Sequence, residues 1–261
     1  MFWVLQKNLY NEDAFEELLR QLELQNTSYQ VVSIIPFAHE MEPDVNPEGH
    51  VMTLGATSMA KISKKKGWFP GYFDENLQYS YLLYAYQKHM LNAESVIYPL
   101  RELPKLWDEF FIRPNNDNKQ FAGSTMTWEY FETWRQNLIA LDGESSLTTM
   151  TADDLVVMAP LQDIYAEYRF YVVDGKVITG SIYKRSNRVY YVNITEYSDP
   201  ELWQFAQKMV NLWSPNRAFA LDVALTENGY HVLEINAINS AGFYACDMGK
   251  FINAINGMEF N

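Results

Sequence analysis

Residues 219–236, FALDVALTENGYHVLEIN, constrain the fold of this chain more than any other stretch. Apolar, largely β-branched and aliphatic runs lie on either side of Glu227-Asn228-Gly229, so the pattern predicts two antiparallel strands joined at that turn. Side chains alternate across a strand, which puts Glu234 and Asn236 on one face of the second strand, with Asp222 on the first. Three oxygen donors can therefore converge across one hairpin. Two carboxylates and a carboxamide are hard donors of the kind that suit Mg2+, which keeps waters and takes phosphate oxygens to complete its shell. The bland alternative is that the three residues decorate an exposed sheet face. Val232, Leu233 and Ile235 flank Glu234 and favour a packed strand, and the small-residue run AINSAGFY that follows can let a substrate approach the backbone.

The rest of the chain supplies a sheet-forming context. FWVLQ reads as a buried strand; Asp13 and Glu16 form a capping-box pattern ahead of Phe15, Leu18, Leu19 and Leu22 at helical spacing; YQVVSIIPF reads as a second strand ended by Pro36. Strand, helix, strand units of this kind build parallel sheets. Residues 43–70 are rich in Gly, Pro, Asn and Lys and read as irregular, with VMTLGATS a strand and turn inside them and KISKKKG, Lys61 to Gly67, a solvated loop. LQYSYLLYAYQKHML has apolar residues on nearly every face, as a buried helix does, and VIYPL resumes strand character. Beyond Trp107, EFFIRP is extended, NNDNKQFAGST is a polar loop, and LVVMAP is a buried strand. YAEYRFYVVDGKVITGSIYKR predicts a hairpin turning at Asp174-Gly175. Asp199 and Pro200 suit the N-cap and first turn of a helix that carries Leu202, Phe205, Ala206, Met209 and Trp213 and stops at Ser214-Pro215.

Composition narrows the function classes. A chain of 261 residues with 48% hydrophobic and 20% charged residues is globular, as one large domain or two small ones. The net charge of −13 repels phosphate backbones and argues against generic nucleic-acid binding. The lone Cys246 forms no intramolecular disulfide and reads as a small core residue; the four histidines lack metal-ligand spacing. With neither a secretory pattern nor a membrane-spanning apolar run, a cytoplasmic protein without a membrane partner is expected.

DVALTENGYHVLEINAINSAGFY resembles the closing motif of the ATP-grasp superfamily, in which an Asp, a Glu and an Asn two residues after the Glu hold magnesium against ATP phosphates. FIRPNNDNKQFAG and EYRFYVVDGKVITGSIY extend the likeness to the clade named for an arginine and two lysines, found often in phages and bacteria. The resemblance runs from about Trp107 to Tyr244, and the N-terminal strand, helix, strand unit is similar to the small domain that precedes many such cores. It implies an α/β (α+β) architecture: an ATP-grasp fold of two α+β subdomains clasping ATP, at about residues 106–158 and 159–261, after an N-terminal α/β domain over 1–105.

For the site, the resemblance implies Mg2+ on Asp222, Glu234 and Asn236. Arg113 and Lys119 are implied on ATP phosphates under a Gly123-Ser124 flap, and Arg169 near the transferred group, its alternative being a cross-strand pair with Glu167. Backbone of Val157, Met158 and Ala159 is implied around adenine, with Glu167 on ribose or orienting Arg169. Val156 and Val157 stand where better-known relatives carry a lysine, which leaves Lys184 as the candidate second lysine, its alternative being an ordinary hairpin-end residue. NSAGFY replaces the usual proline-glycine, with Ser240 and Gly242 as candidate substrate contacts. The implied activity is an ATP-dependent carboxylate-amine ligase, joining a carboxylate and an amine through an acyl phosphate and releasing ADP and phosphate. The alternatives are an ATP-grasp kinase, a nucleic-acid-modifying transferase, or an inactive ATP-binding module.

Overall fold

A computed structural model of the chain describes residues 1–36, 38–116, 121–141 and 150–260. Its first part forms β1 (Phe2–Gln6), α1 (Glu12–Leu24), β2 (Tyr29–Ile35), β3 (Glu40–Glu42), β4 (Val51–Leu54), α2 (Thr57–Lys66) and the short β5 (Pro70–Gly71). The middle forms α3 (Tyr79–Tyr86), β6 (Val96–Pro99), β7 (Glu109–Pro114), β8 (Ser124–Thr127), α4 (Trp128–Ala140) and β9 (Leu155–Ala159). The last part forms β10 (Ala166–Val173), β11 (Lys176–Arg185), β12 (Arg188–Ile194), α5 (Pro200–Leu212), β13 (Ala218–Thr226), β14 (Gly229–Ala237) and α6 (Met248–Asn256).

The chain divides into two compact units, Met1–Asn76 with Tyr165–Asn261, and Leu77–Ile164. This division differs from a boundary at residue 105. Strand β6, ahead of that point, pairs with β9, and the N-terminal segment shares one core with the C-terminal one.

In the first unit, β1 lies between β2 and β4 in parallel pairing, so the strand, helix, strand reading of the N-terminus holds. The cap of α1 is Asn11, whose side chain accepts from the Ala14 N–H at 2.9 Å; Asp13 lies inside the first turn. The lysine run is helix rather than loop. Met59, Ile62 and Ser63 bury one side of α2, its last-turn lysines lie where the helix dipole favours cations, and Gly67 closes it at φ 67°.

The second sheet of this unit is antiparallel, in the order β12-β11-β10-β13-β14. Asp174 (φ 47°) and Gly175 (φ 73°) make the two-residue turn between β10 and β11. All eight residues of β10 are buried because both faces of the sheet are covered. On one face Trp203 of α5 meets Phe170 edge-on at 5.7 Å. On the other, Tyr171, Val173, Ala218 and Ala220 join α1, α6 and β1 in a shared core, where Trp3 donates to the Asn256 side chain at 2.9 Å.

The second unit is built on the antiparallel sheet β6-β9-β7-β8. Phe110, Ile112, Val156 and Met158 fill a core with Phe131 of α4. Helix α3 is less buried than its composition suggests: Tyr79, Leu82 and Tyr86 face inward, whereas Tyr84 is 84% exposed. Among the described residues no helix is long and apolar enough to cross a membrane.

Candidate active site

Pairing of β13 with β14 sets Asp222 directly opposite Glu234, and a bulge just beyond Asp222 follows that pair. Asn236, two residues further along β14, turns its amide toward both carboxylates, donating to Glu234 Oε1 at 3.0 Å and Asp222 Oδ2 at 3.3 Å. The three oxygen-bearing side chains expected to converge therefore do so, and the exposed-face alternative fails for Asp222, which is fully buried.

The other neighbour of β13 is β10, whose Arg169 lies opposite Asp222. Its guanidinium grips the carboxylate two-pronged, Nε to Oδ1 and Nη2 to Oδ2, both at 2.7 Å. Arg169 is thus a buried residue paired with Asp222, not an exposed partner of Glu167. Burial opposes its charge, and the Asp222 carboxylate outweighs that penalty and holds it protonated. Asp222 itself is pushed up to about 6, first by burial, then against the pull of Arg169 by Glu234 and Glu167.

Glu167 is engaged on both oxygens: Lys184 Nζ lies 2.6 Å from Oε1 and Tyr183 Oη donates to Oε2 at 2.9 Å. The Tyr183 ring stacks on Tyr244 at 4.7 Å, and Arg169 lies over Tyr244 at 5.0 Å and over Tyr183 at 5.7 Å. Gly242 is brought to Arg169 through its carbonyl, which accepts from Nη1 at 3.4 Å. Ser240 turns back on the end of β14, its N–H donating to the Ala237 carbonyl at 3.2 Å.

In the second unit, Arg113 of β7 pairs opposite Val157 of β9, and its guanidinium lies over the Tyr79 ring at 4.9 Å. Val157, Met158 and Ala159 are all buried, and Met158 belongs to the core on the sheet face opposite Arg113. Gly123 lies against β7, where a Cβ would come within 2.6 Å of the Phe111 ring. Lys119 falls outside the described residues. Burial pushes the Cys246 thiol up, in keeping with a core residue.

A divalent cation suits the β13–β14 cluster. Two buried or half-buried carboxylates face each other with an amide between them; burial is the main reason the Asp222 pKa is raised, and Glu234 and Glu167 add negative charge that a cation would relieve. Among the described residues no three of His, Cys, Asp and Glu gather as a metal-holding group; a cation here would have two carboxylates and the Asn236 amide as its donors. Ligation by Asn236 Oδ1 requires its amide to turn from its present orientation. Sequence patterns did not single out Tyr183 and Tyr244; the aromatic runs SIYKR and GFY carried them without any local sign of their stacking.

A profile of the ATP-grasp domain, family 3 of the clade named for an arginine and two lysines, matches residues 16–255. No curated protein matches the chain. Among solved structures it is similar to the D-cycloserine synthetase DcsG, at 12% identity and a TM-score of 0.64, with 98% of each chain covered. It is also similar to the ATP-grasp ligase PsnB complexed with a minimal precursor, at 13% identity and TM-score 0.53, covering 98% of this chain and 97% of that one. A third is D-alanyl-alanine synthetase A from Vibrio cholerae, at 13% identity and TM-score 0.54, covering 99% and 94%. At such identities the likeness is one of fold.

Proposed function

From the premise that the chain belongs to the ATP-grasp domains of the arginine-and-two-lysine clade, we propose that it is an ATP-dependent carboxylate-amine ligase. The observation that carries this reading is the partly buried cluster in which Asp222 faces Glu234, Asn236 bridges them, and Arg169 closes the far side. Substrate carboxylate oxygen attacks the γ-phosphorus of ATP, and the bond to the β-bridging oxygen breaks, leaving ADP and an acyl phosphate. Amine nitrogen then attacks the acyl carbon, phosphate departs, and the amine proton passes to solvent or phosphate.

Asp222, Glu234 and Asn236 would hold Mg2+, which when bound would polarise phosphoryl oxygens. Arg169 would turn its N–H donors to charge that grows on the transferred group, and Arg113 with Lys119 would take the phosphates. The backbone of Val157 to Ala159 receives adenine. Glu167 and Lys184, already paired, line the nucleotide side, and Ser240 and Gly242 meet the acceptor. The names of two similar structures, a ligase with a precursor and a D-alanyl-alanine synthetase, favour amino-acid or peptide ends as the carboxylate and amine. The acidic chain favours neither nucleic acid nor membrane as partner.

The test is ADP release from MgATP with pools of amino acids and short peptides, with hydroxylamine added as a general amine. The ligase reading expects free phosphate and a hydroxamate, both absent with Glu234→Gln. Phosphate retained on a hydroxyl product, or full turnover by Glu234→Gln, rules it out.

A further inference from the structure

Tyr244 has φ 53°, in the left-handed region where a bulky side chain is an outlier. Such a conformation persists only where its surroundings over-determine it. Here they do. Tyr171 Oη donates to the Ala241 carbonyl at 2.8 Å, and Asn193 Nδ2 donates to that of Ala245 at 3.0 Å. The Ala245 N–H donates to Ser181 Oγ at 3.2 Å and the Asp247 N–H to Thr179 Oγ1 at 2.8 Å. Side chains of β10, β11 and β12 thus pin the loop on both sides of Tyr244, and the strained backbone turns its ring onto Arg169. Tyr183 stacks on that ring at an interplanar angle of 20°, and Tyr191 meets it at 5.2 Å.

Arg169 is held in two different ways. Its N–H groups are occupied by the Asp222 carboxylate and the Gly242 carbonyl, whereas its Cζ lies over the Tyr244 ring at 5.0 Å. A cation on Asp222 takes up part of the charge that attracts the guanidinium, so the edge contact weakens when the cation and nucleotide arrive. Attraction of the guanidinium to a ring face does not depend on the Asp222 charge. We propose that Tyr244 is a positioning residue for Arg169, holding the guanidinium in place while its N–H donors pass from Asp222 to a phosphate oxygen. The inference rests on the ligase reading for its purpose, but not for its measurement.

The experiment follows the Arg169 Nε–Hε resonance in 15N-labelled protein, assigned by its loss in Arg169→Lys, with Mg2+ alone and with MgADP. Wild type and Tyr244→Phe keep a sharp, exchange-protected resonance in both. Tyr244→Leu keeps the wild-type melting temperature but loses the resonance on adding MgADP. Tyr244→Gly, which suits φ 53° and removes the ring, behaves the same way if Leu disturbs folding. In the same variants kcat for ADP release falls about 10- to 100-fold while KM for ATP changes little, as for a misplaced catalytic group. A protected resonance in Tyr244→Leu or Tyr244→Gly, its loss in Tyr244→Phe, or its absence from wild type overturns the proposal. Because the resonance is read without turnover, a protein that releases no ADP overturns the ligase reading and leaves this one to be decided by the spectrum.

Discussion

Asp222 is a carboxylate that burial drives toward neutrality and Arg169 draws back toward charge. Breaking a buried pair by removing one partner leaves an uncompensated charge, so Arg169→Ala is expected to cost about 3–5 kcal/mol in a denaturant titration. The double change Arg169→Met with Asp222→Leu recovers most of that loss, because an apolar pair of similar volume owes no desolvation penalty. A double variant no more stable than Arg169→Ala would show that the pair supplies more than charge compensation. The sequence made the carboxylate cluster legible because its parts lie close together on one hairpin. Arg169 was legible only through family resemblance, since its contact with Asp222 spans 53 residues and depends on β10 pairing with β13. Tyr244 had no readable sign at all: its role follows from a left-handed backbone and a stack that no local spacing encodes.

Elements whose signal is local were the legible ones. The Asp174-Gly175 turn, the Asp199 cap of α5 and the β13–β14 hairpin each depend on neighbours a few residues apart, and each forms as expected. Helix α2 was hidden because three consecutive lysines mask the Met59 and Ile62 spacing and no capping side chain announces its start. Its N-cap is Ala56, in extended geometry with no side-chain hydrogen bond. Ala56→Ser supplies an acceptor for the first-turn N–H groups and is expected to raise stability by about 1 kcal/mol, read as an increase in melting temperature. An unchanged or lower melting temperature would show that those N–H groups already have partners. Helix α6 follows directly on the pinned loop, and its Asp247 cap and buried Phe251, Ile252 and Ile255 tie the loop's far end into the core shared with β1.

At the scale of the molecule, the sequence suggested three blocks in order along the chain, whereas compactness joins the first and last. That joining is not legible from periodicity, because Trp3 and Asn256, or α1 and α6, meet only after the intervening chain has folded. It has a functional consequence: the β13–β14 cluster and the parallel sheet share a core, with Asn239, three residues past Asn236, donating to the Thr53 and Gly71 carbonyls at 2.7 and 3.1 Å. The cluster therefore stands on a packed, hydrogen-bonded base, which the proposed phosphate site would need to keep its geometry. The proposed ligase chemistry requires that cluster to bind nucleotide through a divalent cation. Calorimetric titration of ATP into wild type and Glu234→Gln, each with and without Mg2+, tests this most directly. Mg2+ is expected to tighten ATP binding to wild type at least tenfold, about 1.4 kcal/mol, and to do almost nothing for Glu234→Gln at an unchanged melting temperature. Equal tightening in both proteins would contradict the account.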